Sequence, residues 1–425
     1  MMDNVIQLPR PSAIRPSMRR FGHYLHVDWN DHLEVLQLIA EGDRGYLGYV
    51  LGAQNVERHR ELSKEALKRG FDLILDPKTQ QSALPGSYSP AHGRLPWGLD
   101  RPHRAADFDD HGSKAIADEI AAFAVRNGFT QVLSATHVLS SLDDPWFEID
   151  RRMSALLRER LPRDILLIYP LSLPIASLRE PGVAGQLLAS LSGLELDGLW
   201  LRIENFGADS SGDKTLVLMG IALELQRLGV AVVADYSAGL VGMGLLAFGA
   251  VGGVAHGVMM HESFKVSTWR RPPSQQNSRG GGLAPRVYVP QLDVLLKPAS
   301  ASALLEHSLR AKGHFGCQDP KCCPKGINDT VRHPARHYIK QRSYEIERLS
   351  SIPPTLRVSS FVDQVRRTSD AVAGVAALKV ADEGLTKLLA KKQRHTAGLR
   401  LALGALSEDY KVPDDVVVPS ARNER

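Results

Sequence analysis

Apolar residues fall along this chain in two alternating rhythms. Short, nearly continuous runs, "GYLGYVLGA" (45–53), "FDLILDP" (71–77), "DILLIYPL" (164–171) and "VAVVADYS" (230–237), alternate with segments of helical spacing such as "NVERHRELSKEALKRG" (55–70) and "KTLVLMGIALELQRLG" (214–229). A run with no polar alternation is what a strand buried on both faces requires, and Gly70 and Gly229 are helix stops. "TQVLSATHVL" (130–139), "DGLWLRIEN" (197–205), "GGVAHGVMM" (252–260) and "RVYVPQLDVL" (286–295) bring the strand candidates to eight. Repeated β–α alternation specifies a parallel sheet, and eight units of it predict a closed (β/α)₈ barrel. The competing open doubly wound sheet lacks a G-x-G-x-x-G after its first strand.

The pattern divides the chain into four parts. Residues 1–20, with Pro9, Pro11 and Pro16 among arginines, read as an irregular basic arm. The barrel is expected over 21–312. Residues 313–410 are helical in pattern and lack strand signals, so they read as an α-helical extension, and 411–425 as a loose tail. No apolar run reaches the roughly 20 residues of a membrane helix. The start of the chain lacks the apolar middle of a secretory signal, so a cytoplasmic protein with no membrane role is expected.

Charge sharpens this picture. The chain carries a net +5, yet residues 264–350 hold 15 Lys+Arg against 6 Asp+Glu. Such concentration suits a polyanion-binding face, with Arg270, Arg271, Lys321 and Lys325 as candidate nucleic-acid contacts. Arg279 leads into the tract 280–282, which suits a phosphate-contacting loop or, more plainly, a disordered insertion. The plainer reading is a surface whose acidic partners come from elsewhere in the fold.

All three cysteines, Cys317, Cys322 and Cys323, lie in "HFGCQDPKCCPKG" (314–326). In a reducing compartment this clustering points to metal, and three thiolates with one imidazole suit a closed, structural zinc site. His314, His333 and His337 are the candidate fourth ligands, with His337 at the start of the following helix. Adjacent side chains tend to diverge, so one of Cys322 and Cys323 is open to being a bystander.

Strand ends supply the candidate chemistry, because side chains at the C-terminal ends of barrel strands line the mouth. They include Asp76, Thr136, His137, Tyr169, Arg202, Glu204, Asn205, Asp235, Ser237, His256, His261 and Glu262. Asp76 equally suits a turn cap, Asp235 a helix cap, and His137 a core histidine. Arg202 and Glu204 share a strand face and equally suit an ion pair. The long connection 80–110 reads as a functional lid or a disordered segment, in which Tyr88 and Trp97 offer flat faces to a base or equally pin the loop onto the barrel.

A β/α barrel followed by a three-cysteine, one-histidine module and C-terminal helices resembles the tRNA-guanine transglycosylase superfamily. That family's zinc motif is commonly C-x-C-x2-C with a later His; here it is Cys317-x4-Cys322-Cys323 with His337. "LILDPKTQ" keeps Asp76 and Gln80 in the relative places of a "DSGGFQ"-like motif, with both glycines absent. Asp235 is the best positional match to the family's nucleophilic aspartate, although its surroundings do not repeat the motif. The resemblance implies base exchange at a glycosidic bond, structural zinc, and tRNA or DNA as partner, with a homodimer open. Asp235 would be the nucleophile and Asp76 the acid/base, with Gln80, Arg202, Glu204, Asn205 and His137 contacting substrate. Two other classes compete. One is a metal-dependent hydrolase built on His137, His256, His261, Glu204 and Asp235. The other is a non-catalytic barrel that binds nucleic acid or a protein partner.

Overall fold

The computed structural model describes residues 21–259, 261–267, 269–271, 285–378, 380, 382–408, 410–413 and 415–422. The basic arm, Arg279 and the tract 280–282 lie outside them. Eight parallel strands close on themselves: β1 (Gly22–Val27), β2 (Gly48–Gly52), β3 (Asp72–Asp76), β4 (Gln131–Leu133), β5 (Leu166–Pro174), β6 (Gly198–Glu204), β7 (Ala231–Asp235) and β8 (Gly253–Gly257). Each pairs with the next, and β8 pairs with β1. The fold is a TIM barrel, with helices between the strands.

The closing set differs from the expected one at its ends. Seven of the expected strands form, but the barrel opens with "GHYLHV" (22–27), which carries no clean apolar run. The run 286–295 is not the eighth strand. It folds as an antiparallel hairpin, Val287–Val289 against Val294–Leu296, outside the barrel. Pro290 has no N–H to give a ladder, and Asp293 adopts φ 47°, so the run bends back on itself.

Tyr24, Val50, Ile74, Leu133, Ile168, Trp200, Val233 and Ala255, one from each strand, pack together inside the barrel. Alternate residues such as Leu25, Leu51, Leu73, Leu199 and Leu201 face the helical layer, so each strand needs apolar side chains on both faces. The last residues are not a loose tail. Val417, Val418, Pro419 and Ser420 line a cavity of about 350 Å³ with Tyr24 and Trp200 at the N-terminal end of the barrel. They approach so closely that a Cβ on Gly252 would lie 2.0 Å from the Val417 carbonyl oxygen.

The hairpin shares a core with the extension: Val287, Val289 and Leu296 pack with Leu304, Phe315, Val372 and Leu389. Packing therefore begins the extension near residue 287, before the expected 313. Its helix Pro334–Ser350 carries ten buried residues, including His337, Tyr338 and Arg342. Arg342 joins the barrel's Glu262 at 2.6 Å, and reaches Asp293 and Glu345 at 2.9 Å each. Among the described residues no helix is long and apolar enough to cross a membrane.

Candidate active site and metal centre

At the C-terminal mouth, one guanidinium organises the charged groups. From β6, Arg202 donates through Nε to Asp235 Oδ2 at 2.5 Å, through Nη1 to Gln80 Oε1 at 2.7 Å and through Nη2 to Asp76 Oδ2 at 2.9 Å. Asp76 Oδ2 also takes Lys78 Nζ at 3.2 Å, and Asp235 Oδ1 pairs with His26 Nε2 at 2.6 Å. Gln80 Nε2 donates to Ser172 Oγ and Thr136 Oγ1, which ties in β5 and the end of β4. The His26 ring stacks on Tyr236 with centroids 4.6 Å apart. All of these groups except Tyr236 are buried.

The pairing sets the protonation states. Burial alone would push both carboxyls up. For Asp76, Arg202 and Lys78 overcome it and hold the group well below the usual carboxylate range. For Asp235, His26 and Arg202 do the same. Burial would lower the Lys78 ammonium, but Asp76 reverses that and keeps it charged, so it offers no free amine for a Schiff base. Asp76 is thus ionised, a hydrogen-bond acceptor and not the proton donor that an acid role requires. It also bonds the Lys78 N–H at 2.9 Å, so the turn-capping role and the mouth role coexist.

Backbone conformation marks the same rim. Lys78, Asn205, Tyr236 and Met259 take φ of 59°, 62°, 54° and 55°, each one or two residues beyond the end of β3, β6, β7 or β8. Left-handed backbone at bulky residues costs on the order of 1 kcal/mol each and gathers at functional sites. Asp28, just past β1, pairs with His261 at 2.8 Å. Burial would raise Asp28, but the hydrogen bond from His261 brings it to about 2. Burial and the neighbouring Asp28 raise Asp31 to about 6.

Other expected site residues stand apart. His137 turns to the outer helix, pairing with Asp150 at 2.7 Å and stacking on Trp146, so it is a core histidine. Burial lowers it to about 3 and raises Asp150. Glu204 pairs with Arg270 at 2.8 Å, not with Arg202. Asn205 is exposed at the rim, as is Arg271 in its loop. His256 bonds His23 at 2.9 Å, and His261 is held by Asp28. The proposed hydrolase ligands therefore have separate partners, and among the described residues they form no group able to hold an ion. Trp97 is buried, donating to the Pro77 carbonyl, and Gly86 N–H reaches the Trp269 carbonyl, so the long connection is anchored over the mouth. His26, Lys78 and Tyr236 were missed from sequence. The signals were a histidine two residues from Tyr24 in an unread strand, and a lysine just past a strand end.

Among the described residues, the group able to hold an ion is Cys317, Cys322, Cys323 and His337, whose ligand atoms lie within 4.8 Å of one another. A zinc tetrahedron has S···S edges of about 3.8 Å and S···N edges of roughly 3.5 Å. Cys322 and Cys323 Sγ are 3.8 Å apart, and each lies 3.4 Å from His337 Nδ1. Neighbouring cysteines converge because both N–H groups fold onto the Asp319 carbonyl. His337 Nε2 bonds the Tyr288 carbonyl at 3.0 Å, aiming Nδ1 at the sulfurs. Thr330 and Gln341 donate to the sulfurs, as suits thiolates. The residues fit a metal such as zinc, and no position is left for water. Lys321 and Lys325 are exposed on this knuckle. Of the basic section, Arg270, Arg336, Lys340 and Arg342 are paired with carboxylates, so part of its charge is met inside the fold.

The fold and its sites define a TIM-barrel protein with a Cys₃His module. No family model and no curated protein matches the chain. Among solved structures it is similar to an endo-1,4-β-D-xylanase of Clostridium thermocellum (10% identity, TM-score 0.36, 55% of each chain). It is also similar to type I 3-dehydroquinate dehydratase of Clostridium difficile (10%, 0.36, 58% of this chain and 88% of that one). A third likeness is to the carboxyl transferase domain of Rhizobium etli pyruvate carboxylase (10%, 0.39, 95% and 66%). The chain spans about half the length of the xylanase it matches. None of these fixes an activity for this chain.

Proposed function

We propose that the barrel mouth is the active centre of an enzyme that exchanges a base at the glycosidic bond of a nucleoside or nucleic acid. One observation carries the reading: Arg202 gathers Asp235, Asp76 and Gln80 at the strand ends, where His26 with Arg202 keeps Asp235 ionised and Arg202 with Lys78 keeps Asp76 so. An ionised Asp235 suits attack on the anomeric carbon: a C–O bond forms as the C–N bond to the base breaks. Asp76, unprotonated, accepts a hydrogen bond from an N–H of the base and orients it, while the base departs with the C–N electron pair. Lys78 and Arg202 stabilise negative charge on the departing heterocycle. Cys317, Cys322, Cys323 and His337 would hold a structural zinc that fastens the helix carrying Arg342.

A second reading is a barrel that binds nucleic acid without turnover. It is favoured by the Asp235 side chain, which is 0% exposed with both oxygens bonded. The test is incorporation of labelled guanine or a 7-deazaguanine into tRNA and into DNA by wild type and Asp235→Asn. Incorporation lost in the variant, with nucleic-acid retention kept, supports exchange. Retention without incorporation by wild type supports the second reading.

A further inference from the structure

The helical extension holds a second cleft, of about 600 Å³, away from the mouth. It is walled by helix Pro334–Ser350, helix Pro354–Ala377, the hairpin turn at Pro290 and Gln291, and His314. Its volume is that of a small-ligand site. Arg348 and Arg367 line it from the two helices. Among the described residues neither side chain takes an ion pair or hydrogen bond. This sets the cleft apart from a smaller one of about 230 Å³ beside the mouth. There Lys391 is held by Asp209, Lys392 by Asp293 and Arg342 by Glu262, so of its lysines and arginines, among the described residues, Lys265 alone is left without a paired carboxylate.

The rest of the lining reads as a nucleotide would require. Tyr344 offers a ring, with the Lys340 ammonium 5.5 Å from its centroid, and Gln341 and Gln364 offer amide oxygens, their NH2 groups donating to Cys322 Sγ and Met243 Sδ. Gln291 lines the cleft from the hairpin turn, its Oε1 buried and without a partner. Of the two carboxylates, Glu345 is committed to Tyr288 and Arg342, which leaves Asp370 for a ribose hydroxyl. We propose that this cleft binds a nucleoside phosphate, its phosphates clamped between Arg348 and Arg367 and its base against Tyr344. Gln341 also donates to Cys322 Sγ at 3.6 Å, so the ligand would sit directly beside the metal centre.

Calorimetric titration of the full chain with a nucleoside monophosphate and diphosphate, inorganic phosphate, and a short single-stranded oligonucleotide tests this. Nucleotide binding is expected, weakened about tenfold or more by Arg348→Ala and by Arg367→Ala. Arg366→Ala, whose residue pairs with Asp363, should bind as wild type. Tyr344→Leu should weaken the nucleotide and leave phosphate unchanged. No nucleotide binding, unchanged binding in both arginine variants with circular dichroism intact, or binding of the oligonucleotide alone would each overturn the proposal. Because Asp235→Asn leaves this cleft untouched, loss of base exchange with nucleotide binding retained separates the two readings.

Discussion

Replacing Arg202 with methionine keeps the length and apolar stem of the side chain and removes its charge. Two buried carboxylates then lose their shared partner. Removing one member of a buried ion pair costs about 3–5 kcal/mol. Asp76 keeps Lys78, and Asp235 keeps His26, which places the penalty near about 3 kcal/mol at pH 7. That is a large part of the roughly 5–15 kcal/mol by which a domain is stable. The pH dependence discriminates further. In the wild type both carboxyls sit below their unfolded values, so their contribution is present above about pH 4 and lost as pH falls. In R202M burial acts without the guanidinium, the carboxyls move up, and proton uptake between pH 7 and pH 5 relieves the strain. The gap between variant and wild type should therefore narrow on acidification. Urea unfolding followed by tryptophan fluorescence measures it, with Trp200 fully buried in the barrel as a reporter. A gap under about 1 kcal/mol at pH 7, or one constant down to pH 5, refutes the electrostatic account of the mouth.

Elemental analysis should find one metal ion per chain, lost in His337→Ala and Cys323→Ala, with destabilisation of several kcal/mol, on the order of a structural zinc's contribution; full stability without metal contradicts this. Gly252→Val should cost about 1–3 kcal/mol by driving the Val417 backbone off the barrel floor. The cost should vanish in a chain ending before Lys411, and simple additivity of the two changes would be the wrong outcome. Asp31→Asn should stabilise the protein by about 1 kcal/mol at pH 7.5 and not at pH 4. The raised Asp31 carboxyl makes folding lose stability as pH rises from about 4 through about 6. Equal gains at both pH values would show that no charge is involved.

Much of the barrel was legible because a parallel strand buried on both faces must be a short apolar run, and seven such runs are strands. Local pattern failed where neighbours decide the outcome. "GHYLHV" reads as broken by histidines, yet His23 meets His256 and His26 meets Asp235 only after the sheet closes. "RVYVPQLDVL" is apolar enough for a strand, but Pro290 and Asp293 make it a hairpin whose apolar face belongs to the extension.

The sequence alone determined the strand–helix order, the three sulfurs as one centre, and Asp76, Gln80, Arg202 and Asp235 as residues at strand ends. Those facts follow from spacing, which is local. Tertiary structure decided that Arg202 joins Asp76 to Asp235, although 126 positions separate Arg202 from Asp76. It also brought His337 to the three cysteines, retired His137 to the outer core, and laid the tail beneath the barrel. Charge pairing and desolvation depend on distance in space, and only chain closure sets that distance.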